Sequence, residues 1–175
     1  MLAPRSFLAP LLLALSARAT NVCNLQTQQQ QQNPTTRTYA MIKPDVAGDR
    51  EKVDLIKKRI QKAGLVIVRE QRDQLSKHTC AQFYAEHQER EFFDSLVNFM
   101  SSGPVLKLEL AGDNAVQQWR QLIGPTNSAR AREEAPETLR ALFGTDGQRN
   151  AAHGSDSAES AEREINLMFD DQGDG

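Results

Sequence analysis

The sequence predicts an α+β domain in which helices cover one antiparallel sheet. Short β-type runs recur at residues 38–42, 65–75 and 105–112. The last alternates Val105, Lys107 and Glu109 against Leu106, Leu108 and Leu110, the period of a strand with one solvated face. Between and after these runs stand segments with apolar residues at helical spacing, closed at Gly64, Gly103 and Gly124. The order strand, helix, strand, helix, helix, strand, helix is that of a split βαβ, ferredoxin-like sandwich.

Taken in order, TYAMI (38–42) ends on Lys43-Pro44-Asp45, a turn signal. Val53, Ile56 and Ile60 then line one helix face, and LVIVREQRDQL returns as a strand. Ser76 opens a helix with Cys80, Phe83 and Tyr84 inward, and Phe92, Phe93, Leu96, Phe99 and Met100 mark the next. Asp113 is the expected N-cap of a helix carrying Val116, Trp119 and Ile123. From 125 to 157 periodicity fails except for a helical piece at 137–142. So long a connection in a compact domain points to function.

At 175 residues the chain has the size of about one domain. A net charge of −2 advertises neither a cationic face for nucleic acid nor a basic helix for a membrane. Cys23 and Cys80 suit no disulfide or metal spacing, and His78, His87 and His153 are too scattered for zinc. Residues 1–19 have the form of a secretory signal peptide, with a mitochondrial presequence as the close alternative because arginines are present and acids absent. Residues 20–37 read as a Gln-rich disordered linker, 38–170 as the folded domain and 171–175 as a tail.

The stretch RNAAHGSDSAESAEREI (149–165) carries the chemistry. A helix is predicted from near Asp156, with Glu159 completing a capping-box-like pair. Ala158, Ala161, Ile165 and Met168 form its apolar stripe, and Glu164 borders it. A carboxylate drawn inward there needs a partner. His153 is the candidate, and pairing would fix its tautomer and free the other ring nitrogen.

YAMIKPD, FFxxLVxFMxSGPV, WRxLxGPT, PxTLRxxF and RNxxHGSDSxxSAxxEI, in this order over residues 38–169, resemble nucleoside diphosphate kinase. With the inserted SARAREE (128–134), the chain is more similar to the divergent nucleoside diphosphate kinase 6 type than to housekeeping isoforms. The resemblance implies ping-pong transfer of the γ-phosphate of ATP to nucleoside diphosphates through a phosphohistidine. It makes His153 the nucleophile, with Glu164 orienting it, Ser155 supporting the site and Tyr84 nearby. It makes Lys43, Arg120 and Arg140 phosphate-binding cations and Thr126 a phosphate-binding hydroxyl. Phe92 would stack on the base, with Leu96 one turn further along, and Asn150 would contact the sugar. Mg2+ would be held mainly by the nucleotide's phosphates, with Asp156 reaching it through water.

The partners implied are ATP, nucleoside diphosphates and further copies of the chain, as a hexamer by family default. The altered loop and a chain that ends soon after Phe169 leave dimer or monomer as alternatives. No membrane association of the mature form and no nucleic-acid partner are expected. The second reading, a weakly active or inactive member acting as a regulatory or binding partner, rests on the same altered loop.

Overall fold

The computed structural model describes residues 35–170. Residues 1–19, read as a targeting segment, most of the stretch read as a linker and residues 171–175 lie outside the described residues.

Strand β1 (Thr35–Ile42) begins three residues earlier than TYAMI suggests, inside the stretch assigned to the linker. It leads into α1 (Pro44–Ala47), where Pro44 occupies the first turn and needs no N–H partner. Helix α2 (Arg50–Lys62) is capped by Asp49, whose carboxylate accepts from Lys52 N. Then follow β2 (Val66–Asp73), α3 (Lys77–Phe83), a 3-10 turn (Ala85–His87) and α4 (Phe93–Met100). Next are β3 (Val105–Asp113), α5 (Ala115–Ile123), α6 (Ser128–Glu134), α7 (Leu139–Phe143), β4 (Ala152–Gly154) and α8 (Ala158–Ile165). A π-turn (Asn166–Asp170) continues from α8. Among the described residues no helix is long and apolar enough to cross a membrane.

The sheet has the order β2-β3-β1-β4, and every pairing is antiparallel. This is the split βαβ, ferredoxin-like arrangement. Alternation along β1 sends Ala40 and Ile42 to one face and Tyr39 and Met41 to the other. The first face packs Ile56 and Ile60 of α2 and Trp119 and Ile123 of α5. The second packs Phe83, Leu96, Val97 and Met100 of α3 and α4, with Ile165 of α8.

Covering of both faces corrects the expectation for β3. Lys107 and Glu109 were read as solvated, yet both are buried. Buried charges persist only when paired. Lys107 Nζ donates to Asp73 (3.0 Å) and to the Met168 carbonyl (2.8 Å), while Glu109 is bound by Arg37 and Arg69.

Three helix starts also differ. Asp113 ends β3 instead of capping α5. The cap position falls on Asn114, in the left-handed region at φ 51°, and its side chain makes no cap bond. Thr36 of β1 supplies the acceptor instead, taking Ala115 N at 2.7 Å. At α8 the cap is Ser157, which accepts from Ser160 N, while Asp156 accepts from the Ser160 hydroxyl at 2.6 Å. Finally, the aperiodic SARAREE segment is helical as α6, capped by Asn127.

Candidate active site

His153 falls in the stretch where sequence periodicity fails, yet it occupies the middle of a short strand, β4, opposite Met41 of β1. Directly opposed residues share a sheet face, so the imidazole lies on the Tyr39 and Met41 side. Its ring stands edge-on to Phe83, with centroids 5.0 Å apart, and to Tyr84 at 6.3 Å. Trp119 fixes the strand from beneath, donating from its indole N–H to the His153 carbonyl at 3.0 Å. Gly154 permits this approach, since a Cβ there would stand 2.4 Å from Trp119 Cδ1.

Glu164, eleven residues on and buried in α8, meets the imidazole from below: His153 Nε2 and Glu164 Oε2 are 3.0 Å apart. The buried Ser155 hydroxyl donates to the same carboxylate oxygen at 2.8 Å. An ionised carboxylate only accepts, so Nε2 carries the proton and Nδ1 keeps its lone pair. Nδ1 makes no hydrogen bond to the described residues, and one fifth of the side chain (20%) stays accessible.

A cavity of about 660 Å³ opens over this histidine. Lys43, Arg120, Thr126, Arg140 and Asn150 border it, as do Tyr84, Phe92 and Leu96, and Asp156 and Glu164 with His153. Every residue named from the sequence therefore borders one cavity except Ser155, which acts from behind through Glu164.

Burial lowers the Lys43 ammonium to about 8, with nearby Arg140 adding to the effect. It donates to Asn150 Oδ1 (2.7 Å) and to the Gln148 carbonyl (3.1 Å). Asn150 spends both amide hydrogens on the carbonyls of Thr126 and Gly147, each at 2.9 Å. What remains is acceptor capacity on Oδ1, suited to a hydroxyl donor. Arg140 is anchored by the carbonyls of Gly124 (2.8 Å) and Ala152 (3.0 Å), and burial followed by Arg120 lowers it to about 10. Among the described residues its Nε and the Tyr84 hydroxyl are buried without partners. The ammonium and two guanidinium groups that border one cavity give it the charge that suits a multiply charged oxyanion. Burial holds the Tyr84 phenol far above its ordinary range, so it remains a donor.

Phe92 is half exposed at the cavity mouth, while Phe93 and Leu96 turn into the core. His87, 5.6 Å from the Phe92 ring, and Gln148 also border the cavity. Neither was legible in advance. His87 sits on an irregular turn and Gln148 in an aperiodic loop, and no periodicity marks either position.

An α+β domain that presents a carboxylate-paired histidine and a cluster of cationic and hydroxyl groups to one cavity is of the class that handles phosphorylated ligands. Comparison with known proteins makes this specific: the nucleoside diphosphate kinase family model matches residues 36–173. Nucleoside diphosphate kinase homolog 7 of Rattus norvegicus is 46% identical over 137 residues, covering 78% of this chain and 34% of that protein. Nucleoside diphosphate kinase homolog 5 of Danio rerio is 48% identical over 133 residues, covering 76% and 60%. The chain thus spans about one third and three fifths of these two relatives. The crystal structure of Aquifex aeolicus nucleoside diphosphate kinase superposes with a TM-score of 0.74 at 42% identity, over 77% of this chain and 95% of that one. The chain belongs to the nucleoside diphosphate kinase family.

Proposed function

We propose that the chain is an active nucleoside diphosphate kinase working through a phosphohistidine. The observation that carries the reading is the His153–Glu164 pair, which leaves the Nδ1 lone pair unengaged beside Lys43, Arg140 and Tyr84. Nδ1 attacks the γ-phosphorus of ATP, the bond to the bridging oxygen breaks, and ADP departs with that electron pair. The terminal phosphate oxygen of an incoming nucleoside diphosphate then attacks the phosphoramidate and returns the lone pair to Nδ1. No net proton transfer is required. Glu164 stabilises positive charge on the ring as the N–P bond forms. Lys43, Arg120, Arg140 and Thr126 hold the phosphates, Phe92 supports the base, and Asn150 accepts from the sugar.

Among the described residues no cluster of three His, Cys, Asp or Glu could hold a metal. A magnesium ion carried by nucleotide phosphates and water needs none. Asp156 suits such an ion as a partner through water: it is exposed at the cavity, and the Ser160 hydroxyl holds its carboxyl below the usual range. The ion supplies charge neutralisation on the transferred group. Assembly as a homo-oligomer, a hexamer by family default, belongs to the same proposal and is read by sedimentation.

Incubation with γ-labelled ATP tests the chemistry. It should yield an acid-labile, alkali-stable phosphoprotein that discharges onto nucleoside diphosphates and is lost in His153→Ala. An unlabelled wild-type protein overturns the reading in favour of a non-catalytic binding partner.

A further inference from the structure

Gln148 faces two walls of the cavity at once. Its amide nitrogen donates to the Ser95 carbonyl at 2.9 Å, and its amide oxygen accepts from the Ser95 hydroxyl at 3.2 Å. One side chain thus closes a two-bond ring with a single residue of α4. Its backbone carbonyl accepts from Lys43 Nζ at 3.1 Å, and Asp146 accepts its backbone N–H at 2.7 Å. Among the described residues the two bonds to Ser95 are the hydrogen bonds that join α4 to residues 144–150, and the Arg149 guanidinium over the Phe99 ring at 5.4 Å is a further contact between them. Neighbouring Gly147 adds no packing, since a Cβ there would meet nothing within 4 Å.

Ser95 precedes Leu96 on the helix whose cap position is Phe92. The clasp therefore ties the wall bearing Phe92 and Leu96 to the wall bearing Lys43 and Asn150. We infer that Gln148 is a positioning residue: its clasp on Ser95 holds the aromatic wall and the cationic wall at the spacing one nucleotide spans. This rests on the nucleotide reading of the cavity. A ligand with two parts gains affinity when its half-sites are held in register, because engaging one raises the effective concentration at the other. If the spacing fluctuates, each half still binds its own part but the joint advantage falls.

Two probes separate these terms: ADP, which spans both walls, and inorganic tripolyphosphate, which uses only the cationic one. Calorimetry on Gln148→Ala should show ADP binding weakened about tenfold and tripolyphosphate binding changed less than about twofold. Ser95→Ala keeps its carbonyl acceptor and should weaken ADP about threefold, adding nothing on top of Gln148→Ala. Gln148→Glu keeps the acceptor for the Ser95 hydroxyl, loses the donor, and should fall between wild type and Gln148→Ala. Equal losses for both probes, or unchanged ADP affinity, overturn the inference. Wild-type protein that binds ADP without becoming phosphorylated defeats the kinase reading alone, since the ratio of the two probe losses still decides the clasp. Wild type that binds no ADP overturns both.

Discussion

Glu164 Oε2 lies 3.0 Å from His153 Nε2 and accepts the Ser155 hydroxyl at 2.8 Å. One buried oxygen therefore sets both the tautomer and the tilt of the imidazole. Glu164→Ala should slow formation of the phosphoprotein by about 10- to 100-fold, the scale on which loss of a histidine's outer partner acts. Rapid-quench labelling measures it, and a rate equal to wild type would show that the ring needs no carboxylate. Ser155→Ala, which leaves the Glu164–His153 bond in place, should cost less.

Lys43 supplies a pH dependence of definite sign. With its ammonium at about 8, the charge that attracts phosphate is present below that pH and lost above it. With the ADP phosphates fully ionised, from about pH 7 upward, ADP affinity should hold level to about pH 8 and then fall by up to about tenfold per unit. Folding stability moves the opposite way. The folded value lies below the ordinary 10.5, so the unfolded chain binds more protons between the two, and this group's penalty is relieved as pH rises through that window. Calorimetry and urea melts across the same pH series read the two trends. Parallel trends would remove Lys43 as their source.

Gly154→Ala should destabilise the domain by about 1–3 kcal/mol, the cost of overpacking a filled site. The added methyl would meet Trp119 Cδ1 at 2.4 Å and Nε1 at 2.5 Å. The indole must then move and give up its bond to the His153 carbonyl. Urea unfolding should show the loss of stability and labelling a slower phosphoprotein; a variant as stable as wild type would mean Trp119 yields freely.

Thr36→Val should cost about 1 kcal/mol, the usual worth of a helix cap. Its hydroxyl accepts Ala115 N and donates to the Gly112 carbonyl at 3.1 Å. Because α5 carries Arg120, hydrogen exchange at the first turn of α5 should rise with it. Unchanged exchange there would exclude Thr36 as the cap.

The order of β1, β2 and β3 with the helices between them, and the His153–Glu164 pairing, were legible because both rest on short-range pattern; β4, three residues long, was not. Alternation marks β3, and the border position of Glu164 on the stripe of Ala161 and Ile165 is written within one helix. What escaped depends on distant chain. Thr36 caps a helix 79 residues away. Lys107 and Glu109 alternate like solvated residues, and only the packing of α8 and its π-turn over that face makes them buried. The helical state of α6 escaped because seven residues hold barely two turns, too few for a periodic signal. It is stabilised from outside, by the Ser128 hydroxyl on the Asp146 carbonyl (2.9 Å) and by Arg132 on the Gly144 carbonyl (3.0 Å).

The pairing of His153 with Met41 has a geometric consequence. Lys43 lies two residues beyond Met41 on the same chain, and its own N–H bonds the Ala151 carbonyl at 2.9 Å. Imidazole and ammonium are thus spaced by the main-chain ladder of two adjoining strands, not by the connection that precedes them. The β1–β4 pairing sets that backbone spacing, while the chain from 125 to 149 brings Thr126, Arg140 and Gln148 to the same cavity. The spacing of this pair is thus a property of the sheet, and the rest of the cavity a property of the loop.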